Sequence, residues 1–203
     1  FTLTGVDDPV LLERAWRRAV DEIPALRTAI HGTGVREPVQ VVHPAVTLPV
    51  TVHDGSSDDE AELLAADREA GLDPAVPPLM RITLIRLDGS RIRTLWTFHH
   101  VILDGWSVFE VLSDVLAHLS GQPAKRRRPF ADHLAWLAEQ DTTAAESHWR
   151  KALSGLTPTR LPYDRPPGRA HRARSTSTVE RTLSAVDSGR VAAFARRHRL
   201  TVN

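Results

Sequence analysis

Strand and helix patterns that follow one another along these 203 residues predict an α+β fold. Two alternating runs, 79–87 and 91–100, flank a Gly-containing connection and predict a β-hairpin. Amphipathic helical spacing appears on both sides of this hairpin, at 9–23 and at 107–121. Hydrophobic residues make up 41% of the chain, which is enough for a folded core and excludes a disordered tail.

The first half is predicted to begin with a short strand, FTLTG, and a helix capped by the Asp pair at 7–8. The helical spacing places Trp16 in the core, and Pro24 ends the helix. Strand-like runs follow at 26–30, 39–43 and 48–53. The acidic run 54–72 is predicted to form a helix with a solvated charged face.

The second half is predicted to continue from the hairpin into the helix 107–121. Further along come the basic run 125–128, helices carrying Trp136 and Trp149, a Pro/Arg-rich loop (156–174), a strand (175–184) and a last helix. The basic run, KRRR, is interpreted as a solvated linker, with contact to an anionic partner as the alternative.

Charge and cysteine content exclude several classes of function. The 26 Lys and Arg residues nearly balance 25 Asp and Glu, so nucleic-acid binding by bulk charge is disfavoured. The absence of Cys excludes disulfides, thiolate zinc sites and cysteine nucleophiles. No apolar run approaches the roughly 18 residues of a membrane span and no signal peptide opens the chain, so we expect a cytoplasmic location.

The segment FHHVILDGWS (98–107) carries the residues best suited to chemistry. Adjacent His residues at a strand end point to opposite faces, so only one projects into a given cavity. An imidazole is neutral and basic near pH 7 without special tuning. Asp104 can bond backbone amides or pair with an Arg, and Gly105 permits a tight or left-handed turn. One base on a rigid turn suits deprotonation of an amine, hydroxyl or thiol that attacks an acyl carbon.

This segment resembles HHxxxDG, the signature of acyltransferases with the chloramphenicol-acetyltransferase-like fold. With the added Trp106 and Ser107 it resembles the condensation domains of nonribosomal peptide synthetases. The stretch EIPALRTAI also resembles that family, although Ile23 stands where a His is usual. Further resemblance lies in GLDPAVPPLMRITLIRL, FADHLAWL, HWRKALSG and LPYDRPPG, in the expected order.

The resemblance implies a mixed β-sheet flanked by helices that forms half of a two-lobe pseudo-dimer. Residues 1–174 would be the N-terminal lobe without its first strand, and 175–203 the crossover into a C-terminal lobe. The family's first motif should precede Phe1. We therefore expect the 203-residue chain to be inactive by itself.

The resemblance also implies a reaction. A donor acyl or peptidyl thioester would be condensed with the amine of an acceptor aminoacyl thioester, both on phosphopantetheine arms of peptidyl carrier proteins. The domain itself would bind no cofactor and no metal, and an adenylation domain would be its neighbour. His100 matches the second motif His, acting either as general base or as the group that orients the amine.

The neighbouring residues are expected to support that site. Asp104 is carried over as a structural residue that pairs with an Arg, either Arg27 or one in the other lobe. His99 is assigned to packing or to the turn, and Gly105 to leaving room for substrate. Ser107 and Trp106 are substrate-channel candidates, and Trp106 is expected to be wedged against the core.

Other acyltransferases and domains with this motif remain alternatives. An enzyme that uses an acyl-CoA or acyl-carrier donor and an alcohol acceptor should lack the LPYDRPPG and LRT stretches. A non-catalytic recruiting domain usually loses the second His or its neighbours. Epimerisation domains typically have Val where this chain has Trp106, which argues against that class, and heterocyclisation domains replace the His pair with Asp and are excluded.

Overall fold

The computed structural model describes residues 1–55, 60–87, 89–157 and 180–202. These residues form two units, Phe1–Thr142 and Thr143–Asn203. The boundary between 174 and 175 that the sequence predicts lies outside the described residues. No helix among the described residues combines the length and apolarity that crossing a membrane requires.

The first unit contains six strands and four α-helices among its described residues. In chain order these elements are β1 (Thr2–Thr4), α1 (Pro9–Glu22), a 3₁₀ turn (Pro24–Arg27), β2 (Thr28–His31), β3 (Val39–Val42), β4 (Val50–Asp54), α2 (Glu60–Ala70), β5 (Met80–Leu87), β6 (Arg91–Phe98), α3 (Gly105–Leu119) and α4 (Phe130–Ala138). The second unit contains α5 (Thr143–Ala152) and α6 (Ala185–His198).

A mixed sheet with the strand order β1-β6-β5-β4 is the centre of the first unit. β5 and β6 form the predicted hairpin, with antiparallel pairs from Met80–Phe98 to Leu87–Arg91. β4 joins β5 in parallel, whereas β2 and β3 form a separate two-stranded sheet. The mixed sheet and its flanking helices confirm the predicted fold class.

One face of the sheet carries the hydrophobic core, into which α1 and α3 bury their apolar sides. Trp16 of α1 is fully buried, as predicted, and its ring centroid lies 4.8 Å from that of Trp96 on β6. From α3, Val111 and Val115 are buried in the same cluster. Full burial of such side chains stabilises the fold by about 1.5–3 kcal/mol each.

Three differences between the predicted and the observed elements have a local cause or concern a whole strand. The predicted strand 26–30 begins as the 3₁₀ turn Pro24–Arg27, and the strand starts only at Thr28. The helix predicted from 107 begins at Gly105 because Asp104 caps its first turn. In the predicted strand 175–184, residues 180–184 have no regular structure and the others lie outside the described residues.

Charged contacts hold α2 on the opposite face of the sheet. The Arg81 guanidinium donates to the Asp67 carboxylate, and the Thr97 hydroxyl donates to its other oxygen at 2.5 Å. The Arg81 and Asp67 side chains are 20% and 14% exposed. Burial raises the pKa of Asp67, but the hydrogen bonds from Arg81 and Thr97 outweigh it and hold that pKa below its ordinary value. The acidic run is therefore not only a solvated face.

Asp67→Asn should destabilise the chain by about 1–3 kcal/mol near pH 7, because it weakens a charge-assisted contact to a half-buried Arg. The pKa of Asp67 is lower in the folded chain, so its contribution is fully present above the unfolded pKa of about 3.9 and is lost as pH falls through the folded value. Urea unfolding from about pH 7 to about pH 2.5 measures the difference.

Glu69→Gln is the matched control on the exposed side of α2 and should change stability by less than about 0.5 kcal/mol. A gap between wild type and Asp67→Asn that stays constant at low pH would show that the Asp67 charge is not its source.

Candidate functional site

A cavity of about 860 Å³ in the first unit contains His100. The loop after β6 and the start of α3 form one side of it, where His100, Asp104 and Trp106 line the space. The end of α1 with the 3₁₀ turn, and the segment Ala124–Phe130 between α3 and α4, supply other walls. Its size is in the range of cavities that bind small molecules.

His99 is held within the turn that follows β6. Its backbone N–H donates to Leu79 at 2.9 Å, which extends the pairing of the hairpin by one residue. Its Nδ1 accepts a hydrogen bond from the Val101 N–H at 3.1 Å, and its carbonyl accepts one from Ile102 at 3.1 Å. Because Nδ1 is an acceptor, the neutral ring carries its proton on Nε2. His99 is thereby tied to the backbone of the turn.

His100 is exposed and lines the cavity. Its ring lies 6.4 Å from that of Phe98, centroid to centroid. No hydrogen bond to its imidazole is formed by the part of the chain that the structure describes. Both ring nitrogens are therefore free to meet a ligand in the cavity.

Asp104 caps the N-terminus of α3. Its Oδ1 accepts hydrogen bonds from the backbone N–H and the hydroxyl of Ser107, at 2.8 and 2.7 Å. These two hydrogen bonds from Ser107, the side-chain one first, lower the pKa of Asp104 below its ordinary value. The carboxylate is therefore charged at neutral pH, and it binds the end of the loop that carries His100 to the first turn of α3.

The expected partnership of Arg27 with Asp104 is not present. The Arg27 guanidinium donates instead to the carbonyls of Val20 (3.2 Å), His43 and Pro44 (3.1 Å). The physical reason is that Val20 lies in the last turn of α1, where carbonyls lack helical partners. The planar Arg fork binds that carbonyl together with the two carbonyls that follow β3. Arg27 therefore supports the cavity wall after α1 and not the loop that carries His100.

One further expectation about the motif is wrong, and one of two alternatives for Gly105 is excluded. Trp106 is 84% exposed rather than wedged against the core, because α3 turns its valine stripe to the sheet and places Trp106 on another side. Gly105 does not adopt a left-handed conformation; it is the first residue of α3. Trp106 and Ser107 both line the cavity, although the Ser107 hydroxyl is bonded to Asp104.

The sequence reasoning missed a group of three charged residues in the cavity wall. Arg127 donates to the carboxylates of Glu110 (2.5 Å) and Asp114 on α3. Burial alone lowers the pKa of Arg127, but its hydrogen bonds to both carboxylates raise it. KRRR is therefore not wholly solvated. The spacing of Glu110 and Asp114, four residues apart on one helix, was the available signal.

The described residues contain no candidate metal site. In the ranges 1–55, 60–87, 89–157 and 180–202, no three His, Asp or Glu side chains lie close enough together to hold a metal ion.

Comparison with known proteins identifies a family and several relatives. A family model described as Condensation domain matches residues 1–203. A linear gramicidin synthase polypeptide from Brevibacillus parabrevis is 39% identical over 218 residues, which cover 100% of this chain. Bacitracin synthase 3 from Bacillus licheniformis is 30% identical over 213 residues, or 99% of this chain. The chain spans only 3% of the length of each of these two relatives.

Solved structures share the fold. The X-domain from teicoplanin biosynthesis gives a TM-score of 0.75 at 26% identity, over 98% of this chain and 48% of that one. SgcC5 from Streptomyces globisporus gives a TM-score of 0.74 at 23% identity, over 99% of this chain and 49% of that one. The chain thus spans about half the length of these solved neighbours.

Gly105→Ala tests whether the fold of the chain requires a glycine at this position or whether the glycine only leaves room in the cavity. A Cβ at Gly105 would meet no atom within 4 Å, and the residue is helical, so stability should stay equal or rise by up to about 1 kcal/mol. Thermal melting measures this. A clear loss of stability would mean that the chain itself requires Gly at this position.

Proposed function

Because this chain belongs to the condensation-domain family, we propose that it supplies the catalytic histidine of an amide-forming acyltransferase. The enzyme condenses a donor acyl or peptidyl thioester with the amine of an acceptor aminoacyl thioester. Relatives named as synthases of peptides, such as the 39% identical gramicidin synthase, support this substrate class.

The free imidazole of His100 in the cavity is the observation that carries the proposal. As the acceptor amine attacks the donor carbonyl, the C–N bond forms and the C–S bond breaks. The amine loses one proton, and the departing thiolate gains one. A neutral imidazole beside the reacting atoms takes up the first proton or orients the amine that loses it, and both roles need the same free nitrogen.

The residues on either side of His100 act as positioning residues. His99 is bonded to the turn backbone, and Asp104 is bonded to the first turn of α3. The loop is therefore held at both ends while the imidazole between them stays free. Positioning of this kind lowers the activation barrier because the imidazole is already oriented toward the site that the amine occupies.

Carrier proteins are the proposed partners, and each brings its substrate on a phosphopantetheine arm. An adenylation domain is the proposed neighbour, since the relatives are peptide synthases far longer than this chain. The domain itself needs no bound cofactor for this chemistry, because the thioester is already activated when it arrives.

His100→Ala should lower the rate of condensation by about 10²–10⁴-fold and leave the melting temperature unchanged, because the side chain is exposed and unbonded. Single-turnover transfer between loaded donor and acceptor carriers, followed by mass spectrometry, measures the rate in the complete two-lobe domain. His148→Ala, an exposed histidine outside the cavity, is the control.

Full activity of His100→Ala would remove His100 from the reaction. A wild-type domain that binds carriers and yields no condensed product would favour the non-catalytic recruiting function instead.

The 203-residue chain alone should give no detectable condensed product. Holding two thioester arms in near-attack geometry contributes several kcal/mol to lowering the barrier, and in the proposed two-lobe domain this chain provides only one side of the cleft. Single-turnover assays with the same loaded donor and acceptor carriers test this expectation. Product that depends on His100 would show that these residues contain a complete active site.

A further inference from the structure

The group formed by Arg127, Glu110 and Asp114 lies at the His100 cavity and is not used by the proposed reaction. Asp114 lies on the core side of α3, next to buried Val115, and its side chain is only 4% exposed. A carboxylate in such surroundings is costly unless a donor pairs with it. Arg127 is that donor, so the buried charge of α3 is compensated from a different part of the chain.

Arg127 also fastens one wall of the cavity to α3. Residues 122–129 have no regular secondary structure, and Ala124–Phe130 line the cavity. The Gln122 N–H donates to Ala117 and the Pro129 carbonyl accepts from Asp132, which secures the two ends. Between these ends the Arg127 side chain binds the Glu110 carboxylate, the Glu110 carbonyl (3.3 Å) and Asp114, all on one turn of α3.

The same contacts set the charge of the cavity. Glu110 and Asp114 both line it, and with Arg127 bound one guanidinium faces two carboxylates. Arg127 foremost, and then the Lys125 ammonium, lower the pKa of Glu110 by stabilising its charge. Arg126, Arg128, Glu22 and Asp104 also line the cavity, so four cations and four anions balance there. Apolar lining residues nearby are Ile23, Pro24, Ala25, Ala124, Pro129 and Phe130.

We propose that Arg127 is a positioning and specificity-determining residue: it fastens the wall Ala124–Phe130 to α3 and neutralises Glu110 and Asp114, so that the cavity beside His100 favours substrates with neutral, apolar side chains. This inference rests on the proposed function. Without the guanidinium, two carboxylates four residues apart would face the same space and favour a cationic side chain instead.

Competition between two aminoacyl acceptors, one with an apolar side chain and one with a lysine-like cationic side chain, tests the proposal in the complete domain. Wild type should favour the apolar acceptor in kcat/KM. Arg127→Ala should move the ratio toward the cationic acceptor by about tenfold or more, and Arg127→Lys should restore most of the wild-type preference. Arg36→Ala, which removes an exposed cation that does not line the cavity, is the control and should leave the ratio unchanged.

A double variant, Arg127→Met with Asp114→Leu, keeps the test decisive if Arg127→Ala folds poorly. It removes the buried charge together with its partner, so folding should be retained. Its ratio should move less than about tenfold from that of wild type, because Asp114 is removed together with the guanidinium. A shift of about tenfold or more in the double variant, or none in a folded Arg127→Ala, would overturn the role in specificity.

Hydrogen exchange of the same variants tests whether Arg127 holds the cavity wall in place, and this measurement requires no catalytic activity. In the double variant, the amides of residues 124–128 should exchange about tenfold faster or more, while those in the middle of α3 stay protected. Unchanged exchange would overturn the fastening role. A wild-type domain that shows no condensation would defeat the proposed function alone, and the exchange result would still decide whether Arg127 holds the wall.

Discussion

Burial of α1 and α3 against one face of the β5–β6 hairpin is the packing on which the site depends. Trp16 lies 4.8 Å from Trp96, and Val111 and Val115 enter the same cluster, so neither helix can rotate without opening the core. The hairpin ends at Phe98 and α3 begins at Gly105. With both of these elements held by the core, the short loop that carries His100 has little freedom left.

Arginine side chains attach three peripheral segments of the first unit to this core. Arg81 holds α2 through Asp67, and Arg127 holds the segment after α3 through Asp114. Arg27 joins the end of α1 to the residues that follow β3 by binding carbonyls of both. In each case the guanidinium makes several hydrogen bonds at once, which a planar fork does at a lower entropic cost per bond than a flexible ammonium. Two of these three attachments shape the walls of the His100 cavity.

The two adjacent histidines show how environment separates identical side chains. His99 Nδ1 is occupied by the Val101 N–H, whereas His100 projects into the cavity with both nitrogens free. The two side chains are chemically identical, and they differ here in the hydrogen bond that only His99 makes to the backbone of the turn. The Asp104 carboxylate leaves the His100 imidazole unbonded because it binds Ser107 instead.

The sequence by itself determined the features that depend on near neighbours. The hairpin, the burial of Trp16 and the position of the HHxxxDG segment between a strand and a helix follow from periodicity and turn residues within a few positions. Tertiary structure alone decided the exposure of Trp106, the carbonyl partners of Arg27 and the binding of Arg127 to Asp114. A charged or aromatic side chain can find hydrogen bonds or packing contacts in many surroundings. Only the packed chain determines which long-range partner it meets.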